Sequence, residues 1–341
     1  MEIKKKYEEL PSKVVLQLKN ANVFFSEEYS RYAMIIGAGL WFIYDENYII
    51  PVLISEKIKI KNALCVSEPF EFNDKKDIVI LEKFLSEACR LLKKEGIAWV
   101  STSAAAFFDA YPNESKRIPF GSHVIDLHQT EQDIWMNMHS KHRNSIRRAE
   151  KSGVYVKSGG LSLISDYLKA DVETWKRSGR SSYGRLFFEN ILKTMKDRAV
   201  LYVAYKENIP QASACFFVNK KMCYYMYGAS ITKPEPGAAN LLQWIAIKEM
   251  KTIGVEKYSF VGCRIDEDKD SKYHGIQRFK ERFGGQLRTG YMFKMVLSPR
   301  KYQIFSKMYQ IKNRNIMTDA VEQEAYKWSK LQTTRVEDLE K

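Results

Sequence analysis

The chain moves between two hydrophobic rhythms. Residues 40–44 and 48–55 are dense in apolar and aromatic side chains, and Asp45-Glu46-Asn47 between them supplies turn formers, which predicts a β-hairpin. Residues 57–66 alternate apolar and polar and read as a further strand. The period then lengthens. Leu81, Leu85, Ala88, Leu91 and Leu92 recur at helical spacing, predicting an amphipathic helix over 78–94 that Gly96 stops, followed by a strand over 97–101. A short strand is expected over 122–126. Farther on, helices are predicted over 163–176, 185–196 and 241–253, and strands over 200–205, 211–218, 221–227, 257–261 and 291–297. The tail from Pro299 is expected to be helical, basic at first, and frayed at its charged end.

Between these lies a stretch from Glu131 in which Trp135, Met138, His142, Ile146 and Ala149 step by 3, 4, 4 and 3 residues. That spacing predicts one helix ending at Gly153. Beside the stripe, Arg143, Arg147 and Lys151 form a basic ridge, which reads first as a solvated face and alternatively as a place for phosphates or tRNA. His139 and His142 share a helix face, but their basic neighbours argue against a metal site, and no metal is expected.

A faint repeat is visible. YDENYIIPVLIS and YKENIPQASACFF are both strand, turn, strand; each is followed by helix, glycine and strand, in LSEACRLLKKEGIAWVS and LLQWIAIKEMKTIGVEKYSF. The chain is long for one domain, and two copies of an α/β unit account for its 341 residues better than one large domain.

Composition narrows the class. Apolar residues make up 45% of the chain, enough for substantial cores, and no uncharged apolar run is long enough to span a bilayer. The first residues lack an apolar signal core, so a cytoplasmic address is expected. Five cysteines, with no CxxC pair, fit reduced and buried thiols. The net charge of +14 favours phosphate-bearing or anionic-surface partners: nucleic acid, nucleotide-linked precursors, acyl-CoA or an inner membrane leaflet. It does not choose among them.

Candidate chemistry concentrates in 236–290. Counting about 100° per residue from Ile276, Phe279 and Phe283 fall within about 60° and form an apolar stripe, and Lys280 lies inside it, about 40° away. An ammonium on a core-facing stripe either snorkels out along its stem or meets something anionic. The turn YGASITKPEPGAAN opens a helix whose free N–H groups suit a phosphate or carboxylate, with Gly237 allowing close approach and Tyr227 and Asn240 at its two ends. The loop before residue 186 carries Tyr183 and Arg185, a second place for a diphosphate. Asp109, Tyr225, Tyr227 and Tyr258 are the candidates for proton transfer.

Taken together, KHRNSIRRAEKSGV, the YGAS strand end, LLQWIAIKEMKTIGVEKYSFVG and GIQRFKERFGG resemble the FemABX-type aminoacyltransferases of peptidoglycan bridge synthesis, within the GNAT acyltransferase superfamily. The combination containing FK-x-x-FGG is specific; the likeness is firm over 131–297 and architectural over 1–130. It implies an α/β (α+β) fold of two tandem GNAT-like domains, each a mixed sheet flanked by helices, with the acceptor in a cleft between them. On this reading 1–130 is the first domain, 131–298 the second, and 299–341 a helical tail packing back on the first. The resemblance also implies a catalytic role for Lys280 beside Phe279. Substrate binding is then expected of Arg143, Arg147, Tyr183, Arg185, Tyr227, Gly237, Asn240 and Tyr258. The donor is aminoacyl-tRNA or acyl-CoA, with no resident cofactor. The acceptor is an amine of a nucleotide- or lipid-linked muropeptide, or an amino sugar of a surface polysaccharide. Charged tRNA and a peripheral contact with the inner membrane face are further expected partners. One departure is plain: the long helical arm of the larger members is missing, because 163–196 is short and interrupted by Gly179 and Gly184. A non-catalytic RNA-binding protein is the reading from another class; no RRM, KH or helix-turn-helix signature supports it.

Overall fold

The structure of the protein, a computed structural model, describes residues 1–73, 77–265, 272–312 and 321–323. Its chain divides into two compact units. One takes Met1–Pro11, Gly37–Gly121 and the chain from Thr289; the other takes Ser12–Ile36 and Ser122–Arg288.

In the first unit the strands run in the order Glu2–Lys4, Gly39–Tyr44, Tyr48–Lys57, Ile60–Cys65, Ile97–Thr102 and Gln286–Val296. All neighbouring pairs are antiparallel except Ile60–Cys65 with Ile97–Thr102, which are parallel. A parallel pair needs a crossover, and the Ile78–Lys94 helix provides it. Asp77 caps that helix, accepting from the N–H groups of Val79 and Ile80 at 2.8 and 3.1 Å. Leu81, Phe84, Leu85, Ala88 and Leu92 bury its apolar face in the core of this unit. The tail helix Pro299–Lys312 lays Tyr302 and Phe305 against Trp99, with ring centroids 5.4 and 4.6 Å apart. Beneath it Lys294 is buried, its ammonium donating to the Tyr302 hydroxyl at 2.6 Å and lying 3.6 Å from the Glu322 carboxylate. The expected frayed end of the tail lies outside the described residues.

The second unit repeats the plan. Tyr155–Gly159, Ala199–Lys206, Ile209–Val218 and Cys223–Ser230 are antiparallel neighbours, and Cys223–Ser230 pairs in parallel with Lys257–Arg264 across the Ala238–Thr252 helix. The strand, turn, strand, strand, helix, strand repeat is therefore real, and the fold is of the expected α/β (α+β) class, each unit a mixed sheet with a crossover helix.

Two expectations need correction. The division of the chain differs from blocks at 130 and 298, because residues 12–36 join the second unit. Val23, Phe24 and Phe25 are buried there, the Phe24 ring lies 5.0 Å from that of Tyr224, and Asn219 Nδ2 donates to the Ala21 carbonyl at 2.7 Å. The helix predicted from Glu131 is two helices, Glu131–Asn137 and Ser140–Lys151. Met138 is extended (φ −68, ψ 137), and the His139 side chain accepts from the Lys141 N–H. The break is held from outside the helix: the His139 N–H donates to the Arg282 carbonyl at 2.9 Å.

Candidate active site

The site lies in the second unit, where two neighbouring strands part. Cys223–Ser230 and Lys257–Arg264 register only at Cys223 with Tyr258 and Tyr224 with Ser259 among the described residues. Past that point a bulge interrupts Cys223–Ser230. Cys215 faces Tyr227 and Phe216 faces Tyr225, so Met226 is the extra residue. The opened wedge is closed on one side by the Lys272–Glu281 helix, leaving a pocket of about 430 Å³ walled by Tyr225, Met226, Gly228, Val261, Phe279 and Lys280.

Lys280 does not snorkel. It is 7% exposed, and its ammonium donates to the carbonyls of Gly262 at 2.7 Å and Val261 at 3.4 Å. Burial pulls its pKa down from 10.5 to about 8, against the raising effect of neighbouring Cys263. The group is thus mainly cationic at neutral pH, and one of its three N–H donors remains once two point at carbonyls. Val261, which offers one of those carbonyls, has φ +48, a conformation a β-branched residue adopts only under strain.

Phe279 packs half-buried against the core of the unit, 5.3 Å from the His142 ring and 5.2 Å from Phe283. Its carbonyl accepts from His142 Nε2 at 3.0 Å. Ile276, the third member of the expected stripe, is 43% exposed on the rim, since Phe279 and Lys280 carry the inward face of this helix and Phe283 is buried just past its end. Tyr225 folds back over Gly228 so closely that a Cβ there would lie 1.7 Å from its hydroxyl oxygen. Burial raises the Tyr225 pKa to about 12, so it stays protonated and can donate but not act as a base.

The other sequence candidates go elsewhere. Arg143 is used by the fold: its guanidinium donates to the carbonyls of Met136 at 3.0 Å, Trp135 at 3.5 Å and Met138, closing the end of the preceding helix. Arg147 is exposed and lies over the Trp135 ring at 5.3 Å. Gly237, at φ +87, caps the Ala238–Thr252 helix where a Cβ would meet the Ser145 carbonyl oxygen at 2.1 Å. The close approach it permits is therefore helix on helix, not ligand on backbone. Asn240 is half-buried in the first turn of the same helix. Tyr258 is fully buried and hydrogen-bonds Gln243. Tyr183 and Tyr227 belong to an aromatic cluster with Phe187, the Tyr183 ring stacked on Phe187 at 4.5 Å and edge-on to Tyr227 at 5.9 Å. Arg185 is occupied by Glu189 at 3.2 Å and Ser165 at 2.7 Å. Of the four proton-transfer candidates, Tyr225 alone is in the pocket wall; Asp109 is in the first unit.

His142, His123 and Val261 were not legible as site residues. His142 reads as a core position, which it is, and its link to Phe279 is made across the fold. His123 is buried, with Nδ1 donating to the Gly285 carbonyl at 3.4 Å and Nε2 without a partner, and the Lys280 charge helps to lower its pKa after burial itself. All five cysteines are free and buried. Among the described residues no cluster of potential ligands could hold a metal ion, and no helix is long and apolar enough to cross a membrane.

The fold has solved counterparts. FemX matches with 15% identity over 89% of this chain and 99% of that one, at a TM-score of 0.64. L-PGS from Bacillus licheniformis matches with 14% identity over 86% and 93%, at 0.54. The C-terminal domain (DUF2156) of a putative lysylphosphatidylglycerol synthetase from Agrobacterium fabrum matches with 12% identity over 87% and 95%, also at 0.54. At these identities the likeness establishes the fold. No curated protein matches the sequence. The FemAB family profile matches residues 108–209 and 203–310, together more than half of the chain. The protein belongs to the FemAB family and is a transferase.

Proposed function

We propose that the protein moves an aminoacyl or acyl group from an activated donor to an amine of a peptidoglycan or other cell-envelope precursor. The observation that carries this reading is the buried Lys280 ammonium in the pocket wall, held by two carbonyls with one donor left over. Attack of an amine nitrogen on an ester or thioester carbon forms the C–N bond and drives the carbonyl electrons onto oxygen. Collapse of that oxyanion expels the ribose oxygen of a tRNA or the thiolate of a CoA. The leaving group takes up the proton the nitrogen loses. No covalent enzyme intermediate is needed, only alignment and an oxyanion donor. Lys280 supplies the donor. Phe279 and the bulged Met226 give the pocket apolar walls, which lower the local dielectric beside the charge and strengthen the interaction.

FemAB membership and the FemX-like fold support an aminoacyl donor carried by tRNA. The interrupted Ile164–Arg177 and Arg185–Met195 helices form no long arm, which keeps an acyl-CoA donor in play. The deciding experiment incubates the protein with charged tRNAs and, in parallel, acyl-CoAs, against UDP-muropeptides and amino sugars, with mass spectrometry of the acceptor. Amide formation with one donor class and its loss in Lys280→Met establish the reading. Tight, steeply salt-dependent binding of uncharged tRNA with no transfer in any combination marks a nucleic-acid binder instead.

A further inference from the structure

The first unit carries a surface that transfer chemistry does not use. Between Tyr48–Lys57 and Ile60–Cys65 the hairpin turns on two residues, Ile58 and Lys59, at φ +54 and +56. Both central residues at positive φ is the type I′ geometry, normally given to Asn and Gly. Here a β-branched residue bears the strain and is also 59% exposed. An apolar, strained, solvent-facing tip gains nothing for folding. Such outliers persist where a function requires them.

Ile60, the next residue, is buried in a small cluster with Trp99 against which Tyr302 and Phe305 pack, so this hairpin and the Pro299–Lys312 helix adjoin. The helix turns Tyr302 and Phe305 inward, and a second apolar row outward. Ile304, Met308 and Ile311, spaced by 4 and 3, are 55%, 44% and 79% exposed. Cations accompany both elements: Lys57, Lys59 and Lys61 on the hairpin, Arg300, Lys301 and Lys307 on the helix. Glu56 is the one acid in residues 55–62, the helix has none, and these six cations form no ion pair among the described residues.

We propose that the Ile58 hairpin tip and the outward face of the Pro299–Lys312 helix form a docking surface for an anionic lipid bilayer. The apolar side chains enter the headgroup boundary, and the flanking lysines and arginines meet the lipid charges. Exposed apolar side chains flanked by unpaired cations suit the headgroup boundary of an anionic bilayer. A nucleic acid fits less well, because an exposed Ile, Ile, Met, Ile set offers a phosphate backbone nothing.

The test is sedimentation of the full chain with vesicles of phosphatidylglycerol and phosphatidylcholine in equal parts, and with phosphatidylcholine alone. Binding to the anionic vesicles is expected to be at least about tenfold stronger and to weaken with salt. Two double variants follow. Ile58→Asn with Lys59→Gly gives the turn its preferred residues, so the fold keeps or gains stability while the tip is lost; Ile304→Glu with Met308→Glu reverses the helix face. Each is expected to lower vesicle binding by about fivefold or more with an unchanged circular-dichroism spectrum. Absence of binding by the unaltered chain to anionic vesicles overturns the proposal, as does full binding by both folded variants. Loss of tRNA binding in the variants with vesicle binding intact overturns it too, in favour of RNA.

Discussion

His142 Nε2 donates to the backbone carbonyl of Phe279 at 3.0 Å, so the Ser140–Lys151 helix grips the residue immediately before Lys280. A second grip is the His139 N–H on the Arg282 carbonyl at 2.9 Å, two residues past Lys280. The lysine is therefore held from both sides by one element. The segment at 139–143 thus holds the site through backbone contacts.

Protonation should strain the first grip without removing its donor: the charged ring keeps its Nε2–H, but burial disfavours an imidazolium there. Burial holds the His142 pKa down at about 4, below its ordinary 6.5, so the neutral ring favours the fold. The unfolded chain binds the extra proton first; this contribution is complete above pH 6.5 and is lost as pH falls toward 4. His142→Phe keeps the ring packing but leaves the Phe279 carbonyl without its donor. We expect it to lower turnover by about tenfold, with a smaller change in melting temperature, and to remove the acid-side loss of stability between those two pH values. An acid limb identical to that of the unaltered chain would show that another group is responsible.

Lys280→Met should lower turnover by about 10² to 10³, the cost of removing one oxyanion donor, with acceptor affinity little changed. Lys280→Arg is expected to fail as well, because the bulkier, rigidly planar guanidinium does not fit the buried point the compact ammonium occupies. Because the folded pKa of about 8 lies below 10.5, the unfolded chain holds more protons across that interval. Stability relative to Lys280→Met should therefore rise with pH through this window, by on the order of 3 kcal/mol. Denaturant titrations at the two ends of the window read it; a constant difference contradicts a buried ammonium.

Gly228→Ala should strike the pocket without striking the core. The new methyl would lie 1.7 Å from the Tyr225 hydroxyl oxygen and must push that ring off the wall. We expect acceptor or donor KM to rise by about an order of magnitude at a stability cost of roughly 1 kcal/mol. Gly237→Ala is the structural contrast. At φ +87 with the Ser145 carbonyl oxygen 2.1 Å away, it should destabilise the fold by about 2 to 4 kcal/mol in chemical denaturation, and activity should fall only with the folded fraction.

Val261→Gly relieves a strained φ of +48 beside the lysine. Stability should be unchanged or higher by about 1 kcal/mol, with turnover reduced because the carbonyl that aims Lys280 is no longer held. A clear loss of stability would show that side-chain packing at Val261 outweighs the strain.

Legibility followed the range of the cause. Asp45-Glu46-Asn47 and Ile78–Lys94 were readable because local turn chemistry and period decide them, and the helix bounds agree with the structure. Lys280 was readable because its charge contradicts its stripe. The break at Met138 and His139 was not, since the apolar spacing runs straight through it and a contact with Arg282 makes it. Arg143, Gly237 and Tyr258 looked like ligand groups because the residues that occupy them, Met136, Ser145 and Gln243, are distant or silent in sequence. The turn at Ile58-Lys59 is illegible in the sequence for the opposite reason: its residues are the wrong ones for its geometry.

The order in which the units are completed carries a consequence for synthesis. The unit that begins at Met1 takes its last segment from Thr289 onward, whereas the other is finished at Arg288. On the ribosome the later-starting unit can therefore close first, while the amino-terminal strands wait for partners not yet translated. A chain stalled or truncated near residue 288 should carry a nearly whole Lys280 pocket attached to an unfinished half, and so become a client for chaperones rather than a smaller enzyme.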